Sequence, residues 1–465
     1  MSKRNISRRQ FIGEASCAAI GTTTLFSSIL NLGMANTLAS PIVRPTGTYK
    51  AMVCILLSGG NDSYNMLIPT GAEYGEYASI RSNLAIPQNE ILGLSPITPG
   101  STPLGLHPSM PEIQQLFQDG KVAFLNNVGT LIEPTTKTEI INQTAQLPLG
   151  LLSHSDQAMQ WQTSIPQERS NIGWGGKMAD IIQSMNSNQN ISMNISLSGN
   201  NIFQTGNTVT PFTVNSDTGS VGILGYNEPD VFHNLLTSGV NSLLNQQYQD
   251  VFKKTYSSVV KNSIQNNDFF NDAIGDTSPF TTPFSDNYIS ESLHMIARTV
   301  AAHEALGMER QTFFLSVGGF DNHDELLNNQ AVLLSQISAG LSEFYNALDE
   351  VSMNDCVTSY TISDFARSLT SNGNGTDHAW GGHAMVMGGA VNGQEIYGSY
   401  PTLGLGSDLE IGGGIFIPTL SADEYFAELA LWFGVSPFDL PLLLPNIGNF
   451  YTVGSGSNPI GFMQT

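Results

Sequence analysis

Three separate stretches of the chain share one design, and this design constrains the fold more than any other feature. Each is a continuous apolar or β-branched run that leads into glycine, aspartate and histidine: Val53–Asp62, Thr312–His323 and Val357–Gly382. A run without polar alternation is typical of a strand buried on both faces, as in a parallel sheet covered by helices. Acids and histidines on loops at strand ends are the side chains from which divalent-metal sites are built.

The remaining patterns predict an α/β fold, a doubly wound, mostly parallel sheet flanked by helices. Strand-like runs cover Lys50–Ser58, Val122–Gly129, Gln311–Val317, Val357–Ser363 and Ala384–Gly388. Helical patterns fall between them, most clearly at Ile289–Ala305 and Glu325–Leu348. Strands that alternate with helices favour this fold class. Ligands of such folds gather outside the carboxyl ends of the strands, so we expect the three loops to meet at one edge of the sheet.

The chain divides into three parts by composition. Residues 1–39 are predicted to be a signal peptide, and residues 45–460 the α/β domain. Residues 187–285 are predicted to form an insertion or cap subdomain within it. This segment begins with an Asn/Ser/Gln-rich stretch and continues with polar helical patterns such as Asn241–Lys261. Its composition therefore differs from that of the surrounding apolar strands.

The N-terminus carries a targeting pattern. The sequence from Ser7 to Ile12 reads Ser-Arg-Arg-Gln-Phe-Ile, a twin-arginine signature, and a mildly apolar run from Ala15 to Leu38 follows it. A small-residue site near Ala35 or Ala39 completes the pattern. We expect export by the twin-arginine translocase to the periplasm or beyond. The run is too polar to predict a stable membrane span.

The charge balance excludes some classes of partner. The formal net charge is −22, and the residues after position 39 include 13 basic and 38 acidic side chains. Nucleic acids and anionic membranes require basic patches, so the overall composition argues against both as partners. An acidic, exported protein that holds cations agrees better with this balance.

Seven residues are candidate metal ligands because they lie on the loops after the apolar runs: Asp62, Asp321, His323, Asp364, Asp377, His378 and His383. Glycines precede all of them except Asp364 and allow the loops to approach closely. Each residue alone has a structural alternative. Asp62 also suits an Asx-turn, and His383 also suits a role as a donor behind the ligands. Mixed Asp and His ligands suit zinc, while manganese, calcium or magnesium stay open.

The motifs together resemble one known group of proteins. Leu57–Asp62, Gly318–His323, Ser363–Arg367 and Gly375–His378 are similar to the ligand order of the alkaline phosphatase and sulfatase superfamily. They resemble most closely the twin-arginine-exported, sulfatase-like family known as domain of unknown function 1501. Weaker matches at Ser153–Trp161 and Gly173–Asp180 extend the resemblance from about Tyr49 to Phe433.

The resemblance implies a metal-dependent hydrolase of phosphate or sulfate esters, with two metals bridged by a hydroxyl nucleophile. In that layout Asp62 and Asp364 bind one metal. Asp321, His323 and His378 bind the other. The substrate would be a small-molecule anionic ester.

The resemblance also places the nucleophile at a helix N-terminus after the second strand, where Ser153 is the candidate. The spacing Ser153-x-x-Asp156 equally predicts a helix capping box, and Ser155 is a second candidate. His154 is either a ligand or proton donor, or a surface residue of the first helical turn. Arg367 is a candidate catalytic residue that holds an anionic oxygen, or else an ion-pair partner.

Departures from the superfamily pattern keep a second function open. Phe365 follows Asp364 where a histidine is expected, and the Asp-x-x-x-His spacing is shortened to Asp321-x-His323. The Cys/Ser-x-Pro-x-Arg motif of formylglycine sulfatases is absent from the sequence. The alternative function is that of a non-catalytic exported binding or assembly protein with an extracytoplasmic partner.

Overall fold

The structure is a computed structural model that describes residues 49–100 and 102–464. The predicted signal peptide, residues 1–39, lies outside the described residues. The strands are β1 (Lys50–Leu57), β2 (Leu67–Pro69), β3 (Leu92–Gly93), β4 (Leu104–Leu106), β5 (Val122–Gly129), β6 (Asn194–Ser196), β7 (Phe212–Thr213), β8 (Arg310–Val317), β9 (Val357–Ser363), β10 (Arg367–Ser371), β11 (Thr376–His378), β12 (Gly382–Gly388), β13 (Glu395–Tyr397) and β14 (Leu420–Ser421).

The helices surround the strands in sequence and in space. They are α1 (Ser63–Met66), α2 (Tyr74–Arg81), α3 (Pro111–Gln118), α4 (Lys137–Ile141), α5 (His154–Thr163), α6 (Trp174–Ile182), α7 (Val231–Leu244), α8 (Val251–Ile274), α9 (Tyr288–Ala301), α10 (His303–Leu306), α11 (Leu326–Glu350), α12 (Ala422–Phe433) and α13 (Leu440–Leu443). Within the described residues, no helix combines the length and apolar character that crossing a membrane requires.

The central sheet confirms the predicted fold class. Its strand order is β13-β5-β12-β9-β1-β8-β6-β7, and β14 pairs with β5. Strand β1 runs parallel to β8 on one side and to β9 on the other. Only one of the five predicted runs departs from the parallel direction: β12 lies antiparallel between β5 and β9. The sheet is therefore mostly parallel, and an apolar run buried on both faces does not reveal the strand's direction.

The central strand β1 shows why both faces of the sheet are covered. Successive side chains of a strand point to opposite faces. Val53 and Ile55 pack in an apolar cluster that includes α9 and α11, while Met52 and Cys54 pack in a second cluster with α6 and α12. All four side chains are buried. Two helical layers therefore enclose the sheet, as a doubly wound fold requires.

The register brings the three motif loops to one edge. Leu57 at the end of β1 aligns with Val317 of β8 and with Ser363 of β9. The loops that follow these strands therefore start side by side. This placement agrees with the rule that ligands of open α/β sheets lie outside the carboxyl ends of the strands.

The segment 187–285 begins as part of this sheet and ends as helices. Strands β6 and β7 extend the sheet beyond β8. Helices α7 and α8 then pack against each other, and the Ser257 hydroxyl donates a hydrogen bond of 2.8 Å to the Leu244 carbonyl. A separate cap subdomain in this segment stays a prediction.

Candidate metal centre

Four elements deliver five side chains to one cluster at the sheet edge. Asp321 and His323 follow β8, Asp364 follows β9, His378 ends β11, and His154 begins α5. The Gly-Gly turn after β1 permits this closeness, because Gly59 has a φ of +114° and a Cβ on it would lie 2.4 Å from the Asp321 nitrogen. Glycine is therefore required at Gly59 for the two loops to touch.

Three imidazoles point the same ring nitrogen at one carboxylate oxygen. The distances to Asp321 Oδ1 are 3.4 Å from His154 Nε2, 3.1 Å from His323 Nε2 and 3.9 Å from His378 Nε2. One potential ligand atom from each of His154, Asp321 and His378 lies within 4.8 Å of the other two. The arrangement is that of a convergent donor set around a small volume.

Two of the imidazoles have a hydrogen-bond acceptor at the other ring nitrogen, and the third has a carboxylate near it. His154 Nδ1 lies 2.8 Å from Asp364 Oδ2, and His378 Nδ1 lies 2.8 Å from the Leu152 carbonyl. His323 Nδ1 lies 3.5 Å from Asp377 Oδ1. A carbonyl or carboxylate accepts the Nδ1 proton, so the neutral ring presents a lone pair at Nε2. Metal-binding histidines are usually oriented in this way.

This donor set fits a divalent metal. His323 Nε2 and His378 Nε2 are 3.0 Å apart, close to the ~3.3 Å that two nitrogens of a tetrahedral zinc site would have at ~2.0 Å from the ion. Buried His154 Nε2 and Asp364 Oδ1 have no hydrogen-bond partner in the described part of the chain. Lone pairs that converge on a carboxylate repel one another unless a cation or extra protons lie between them.

The protonation of the cluster favours cation binding. Burial raises the pKa of Asp321, but the hydrogen bond from Arg367 and the neighbouring charges outweigh this effect and lower it overall. Burial lowers the pKa of His378. Asp321 is therefore anionic and His378 neutral at pH 7, as metal ligands must be.

Asp364 contacts the cluster through Nδ1 of His154, the ring nitrogen that faces away from Asp321. Burial raises its pKa against the opposing influence of His154, and its Oδ2 also accepts the Gly59 amide at 3.1 Å. The sequence makes Asp364 a candidate ligand. The structure places it as the acceptor that orients His154.

The guanidinium of Arg367 forms its hydrogen bonds with groups of the protein itself. Its side chain is fully buried, and Nη1 donates to Asp321 Oδ1 at 3.0 Å and to the Gly59 carbonyl at 2.9 Å. Its Nε and Nη2 donate to Thr376. These contacts support the ion-pair alternative, in which Arg367 holds the Asp321 carboxylate in place. Its catalytic role stays a prediction.

Asp62 lies apart from the histidines. It is fully buried and forms an ion pair with Arg81 of α2. Arg81 also donates to Asn65 Oδ1 at 3.0 Å and to the Ser368 carbonyl at 3.1 Å. Burial raises the pKa of Asp62 against the opposing charge of Arg81. The observed contacts of Asp62 are thus those of a buried ion pair.

His383 is also separate from the cluster. It is buried and stacks on Tyr400 with ring centroids 4.9 Å apart. Its Nδ1 accepts a hydrogen bond of 3.3 Å from the backbone N–H of Asn127. Burial lowers its pKa to about 3, so the ring is neutral. It lines a cavity of about 30 Å³ beneath Phe365, whose ring packs on His154 and His378.

Ser153 occupies the N-cap position of α5 without capping it. Its side chain makes no hydrogen bond to the helix backbone and lies 3.2 Å from Ser155 Oγ. Asp156 instead binds Arg169 at 2.7 Å, so the predicted capping box is wrong. Ser153 stands between Leu152, whose carbonyl binds His378, and His154. Leu152 has a φ of +72°, a conformation that is strained for leucine.

Sequence reasoning gave two residues too little weight. His154 carried a signal, because it is one of only eight histidines and adjoins the candidate nucleophile. Arg81 carried no signal in the sequence, since a single arginine at the end of a short helix is ordinarily a surface residue.

Comparison with known proteins gives one family match. A family model described as "Protein of unknown function (DUF1501)" matches residues 49–410. No protein of curated function matches the sequence.

Several solved structures are similar to this chain at low identity. The integral membrane protein lipooligosaccharide phosphoethanolamine transferase A (EptA) from Neisseria meningitidis is 9% identical, with a TM-score of 0.36 over 100% of this chain and 75% of that one. The lipoteichoic acid synthase LtaP from Listeria monocytogenes is 8% identical, with a TM-score of 0.31 over 82% and 77%. The C-terminal periplasmic domain of EcEptC from Escherichia coli, in complex with Zn, is 8% identical, with a TM-score of 0.31 over 74% and 74%. All three TM-scores are low, and no activity follows from them.

Proposed function

The chain belongs to the DUF1501 family of proteins of unknown function, and we propose that it is a metal-dependent hydrolase of phosphate or sulfate esters. One observation carries the proposal. Three imidazoles direct Nε2 toward the Asp321 carboxylate, and two of them, His154 and His378, have a hydrogen-bond acceptor at Nδ1. A group of this kind is built to hold a cation, and zinc suits its nitrogen-rich donors best.

The proposed ligands are His154, His323, His378 and Asp321. A divalent metal would supply Lewis-acid polarisation of the ester oxygen and a positive charge to attract the anion. The side chain of Asp321 is 50% exposed and that of His323 46%, so a small ester has access to the cluster. Arg367 and Asp364 act as positioning residues that hold Asp321 and His154.

Ser153 is the proposed nucleophile. Its hydroxyl makes no hydrogen bond to the helix backbone, and the N-terminus of the ten-residue helix α5 favours negative charge there. The bond from Ser153 Oγ to phosphorus or sulfur forms as the bond to the alcohol breaks. The alcohol leaves with the serine proton, and water then hydrolyses the seryl ester.

Metal analysis with an ester panel tests the proposal. The purified chain, supplied with zinc, manganese, calcium or magnesium in turn, is subjected to elemental analysis and assayed with aryl phosphates and aryl sulfates. We expect about one metal per chain, and its loss in Asp321→Asn. Ser153→Ala should abolish turnover and keep the metal, while the matched variant Ser155→Ala should keep both. Less than about 0.2 metal per chain without turnover would contradict the hydrolase.

A non-catalytic binding or assembly protein is the second candidate, and one observation favours it. Arg367, the cationic side chain that reaches the cluster, is fully buried and bound to Asp321. An anionic ester would therefore depend on the metal for attraction. Bound metal without turnover of any ester in the panel would support this second function.

We also propose export by the twin-arginine translocase, on the basis of the Ser7–Ile12 motif. Replacement of Arg8 and Arg9 by lysine should leave the chain in the cytoplasm, since the translocase reads the arginine pair. Cell fractionation of wild type and variant measures this. An unchanged extracytoplasmic fraction would argue against this route.

A further inference from the structure

Helix α8 carries one apolar stripe whose two halves have opposite environments. Phe252 and Phe270 are 18 residues apart, or five helical turns, so they lie on the same side of the helix. Phe270 is fully buried in the core, whereas Phe252 is 85% exposed. Tyr256 and Val259 continue the exposed half at positions i+4 and i+7 from Phe252 and are also exposed. The N-terminal half of α8 thus presents a core-type stripe that this chain does not cover.

Helix α7 adds to the same uncovered surface. None of its fourteen residues is buried, although they include Phe232, Leu235 and Leu243. It contacts α8 near its own C-terminus, where the Ser257 hydroxyl binds the Leu244 carbonyl. Helices this apolar are ordinarily buried, and a contiguous exposed apolar surface marks a binding site. We call α7 and the first half of α8, residues 231–262, the apolar hairpin.

The apolar hairpin carries three lysines and one acid, Asp250, so its net charge is opposite in sign to that of the whole chain. Lys253, Lys254 and Lys261 lie within nine residues, whereas the chain as a whole has a net charge of −22. All three lysines are exposed, and none takes part in an ion pair within the part of the chain that the structure describes. Helix α7 carries no Asp, Glu, Lys or Arg. An apolar surface next to unpaired lysines matches an anionic, apolar partner.

We propose that the apolar hairpin docks on the surface of an anionic lipid bilayer. Its exposed phenylalanine and leucine side chains enter the boundary of the acyl chains, and the lysines contact lipid phosphates. Acidic side chains more than about 8 Å from the lipid phosphates are screened at physiological salt, so the net negative charge of the chain does not exclude this contact. A second copy of the chain fits less well, since a two-fold contact would bring equivalent lysine clusters to one interface. This inference does not depend on the metal or on catalysis.

Quenching by brominated lipids tests the docking directly. Phe252→Trp places an indole on the apolar hairpin, and Phe438→Trp places one at an equally exposed phenylalanine elsewhere. The full chain is mixed with vesicles of phosphatidylglycerol and phosphatidylcholine that carry brominated acyl chains. We expect quenching and a blue shift in Phe252→Trp and neither in Phe438→Trp. The N-terminal segment is common to both variants, so the local signal distinguishes the docking surface.

Charge reversal tests the lysines. Lys253→Glu, Lys254→Glu and Lys261→Glu together, in the Phe252→Trp background, should weaken quenching by anionic vesicles at least about tenfold. Neutral phosphatidylcholine vesicles should bind weakly with or without the reversals, and circular dichroism should show unchanged helix content. Equal quenching of Phe252→Trp and Phe438→Trp, or no quenching of either, would overturn the proposal. So would light scattering that shows a dimer dependent on Phe252 in a chain that does not bind vesicles.

Discussion

The Nε2 atom of His323 lies 3.0 Å from the Nε2 atom of His378. His378 donates its Nδ1 proton to the Leu152 carbonyl, so its Nε2 carries a lone pair in the neutral ring. His323 must then either donate a proton across this gap or share a cation with His378. The nearby oxygen of Asp321 makes a shared cation the better account, because it adds a third converging donor.

Asp364→Asn tests whether His154 is a ligand that depends on its carboxylate. The change keeps the shape of the side chain but removes the charge that holds the His154 Nδ1 proton at 2.8 Å. Loss of such a partner typically weakens metal binding 10–100-fold, and we expect about this loss in competition against a chromogenic chelator. Asp377→Asn is the matched control, since Asp377 lies 3.5 Å from His323 and is largely exposed, and its effect should be smaller. Equal affinities in wild type and Asp364→Asn would exclude His154 as an oriented ligand.

The buried pair of Asp62 and Arg81 is predicted to support stability rather than metal binding. Arg81→Met leaves a fully buried carboxylate without its partner and should lower the free energy of unfolding by about 3–5 kcal/mol. Urea denaturation measures this change. Arg169→Met is the control, because Arg169 is exposed and the loss of its pair with Asp156 should have a much smaller effect.

Metal content separates this structural role of Asp62 from the ligand role that the family resemblance implies. Asp62→Asn combined with Arg81→Met should bind metal as wild type does and recover part of the lost stability. Loss of metal from this double variant, with folding intact, would restore Asp62 to the ligand set.

Gly59→Ala is predicted to separate two loops of the candidate metal centre. The φ of Gly59 is +114°, and the added Cβ would lie 2.4 Å from the Asp321 nitrogen. We expect a loss of more than about 2 kcal/mol in unfolding free energy, together with weaker metal binding. Gly318→Ala is the control in the equivalent motif, since a Cβ there meets no atom within 4 Å. A Gly59→Ala variant as stable as Gly318→Ala would show that the loops tolerate displacement.

The fold was predictable because its strands are buried on both faces. The run at Val357–Ser363 was predicted with the bounds that the structure shows, and Lys50–Ser58 differs by one residue. The direction of Ala384–Gly388 was not predictable, since burial on both faces is the same for either direction.

The candidate metal centre was predictable in part, for a related reason. Asp321 and His323 lie beside the end of β9 because β1, β8 and β9 are parallel and end in register. The antiparallel pair of β10 and β11 that follows β9 then brings His378 to the same place. His154 depends on how α5 packs beneath Asp364, and Arg81 on how α2 packs on Asp62. Neither packing leaves a local pattern in the sequence, so tertiary structure alone reveals these partners.

A buried acid outside the candidate metal centre makes stability depend on pH. Asp423, in the first turn of α12, is buried and accepts the Ser164 hydroxyl at 2.6 Å. Burial raises its pKa to about 7, far above the ordinary value of 3.8. Between these values the native state holds a proton that the unfolded chain has lost. The contribution of Asp423 to stability is therefore full below about pH 4 and falls as pH rises to about 7.

Asp423→Asn should remove this dependence, because an amide accepts the same hydrogen bond and does not ionise. At pH 8 we expect the variant to be more stable than wild type by up to about 4 kcal/mol, and at pH 4 to be about equal to it. Urea denaturation at both pH values measures the difference. Glu350→Gln is the control, because hydrogen bonds from Thr281 and Thr282 lower the pKa of this exposed acid to about 2, and its removal should not make the protein more stable at pH 8. A constant difference between Asp423→Asn and wild type at the two pH values would show that the pKa of Asp423 is not raised in the native state.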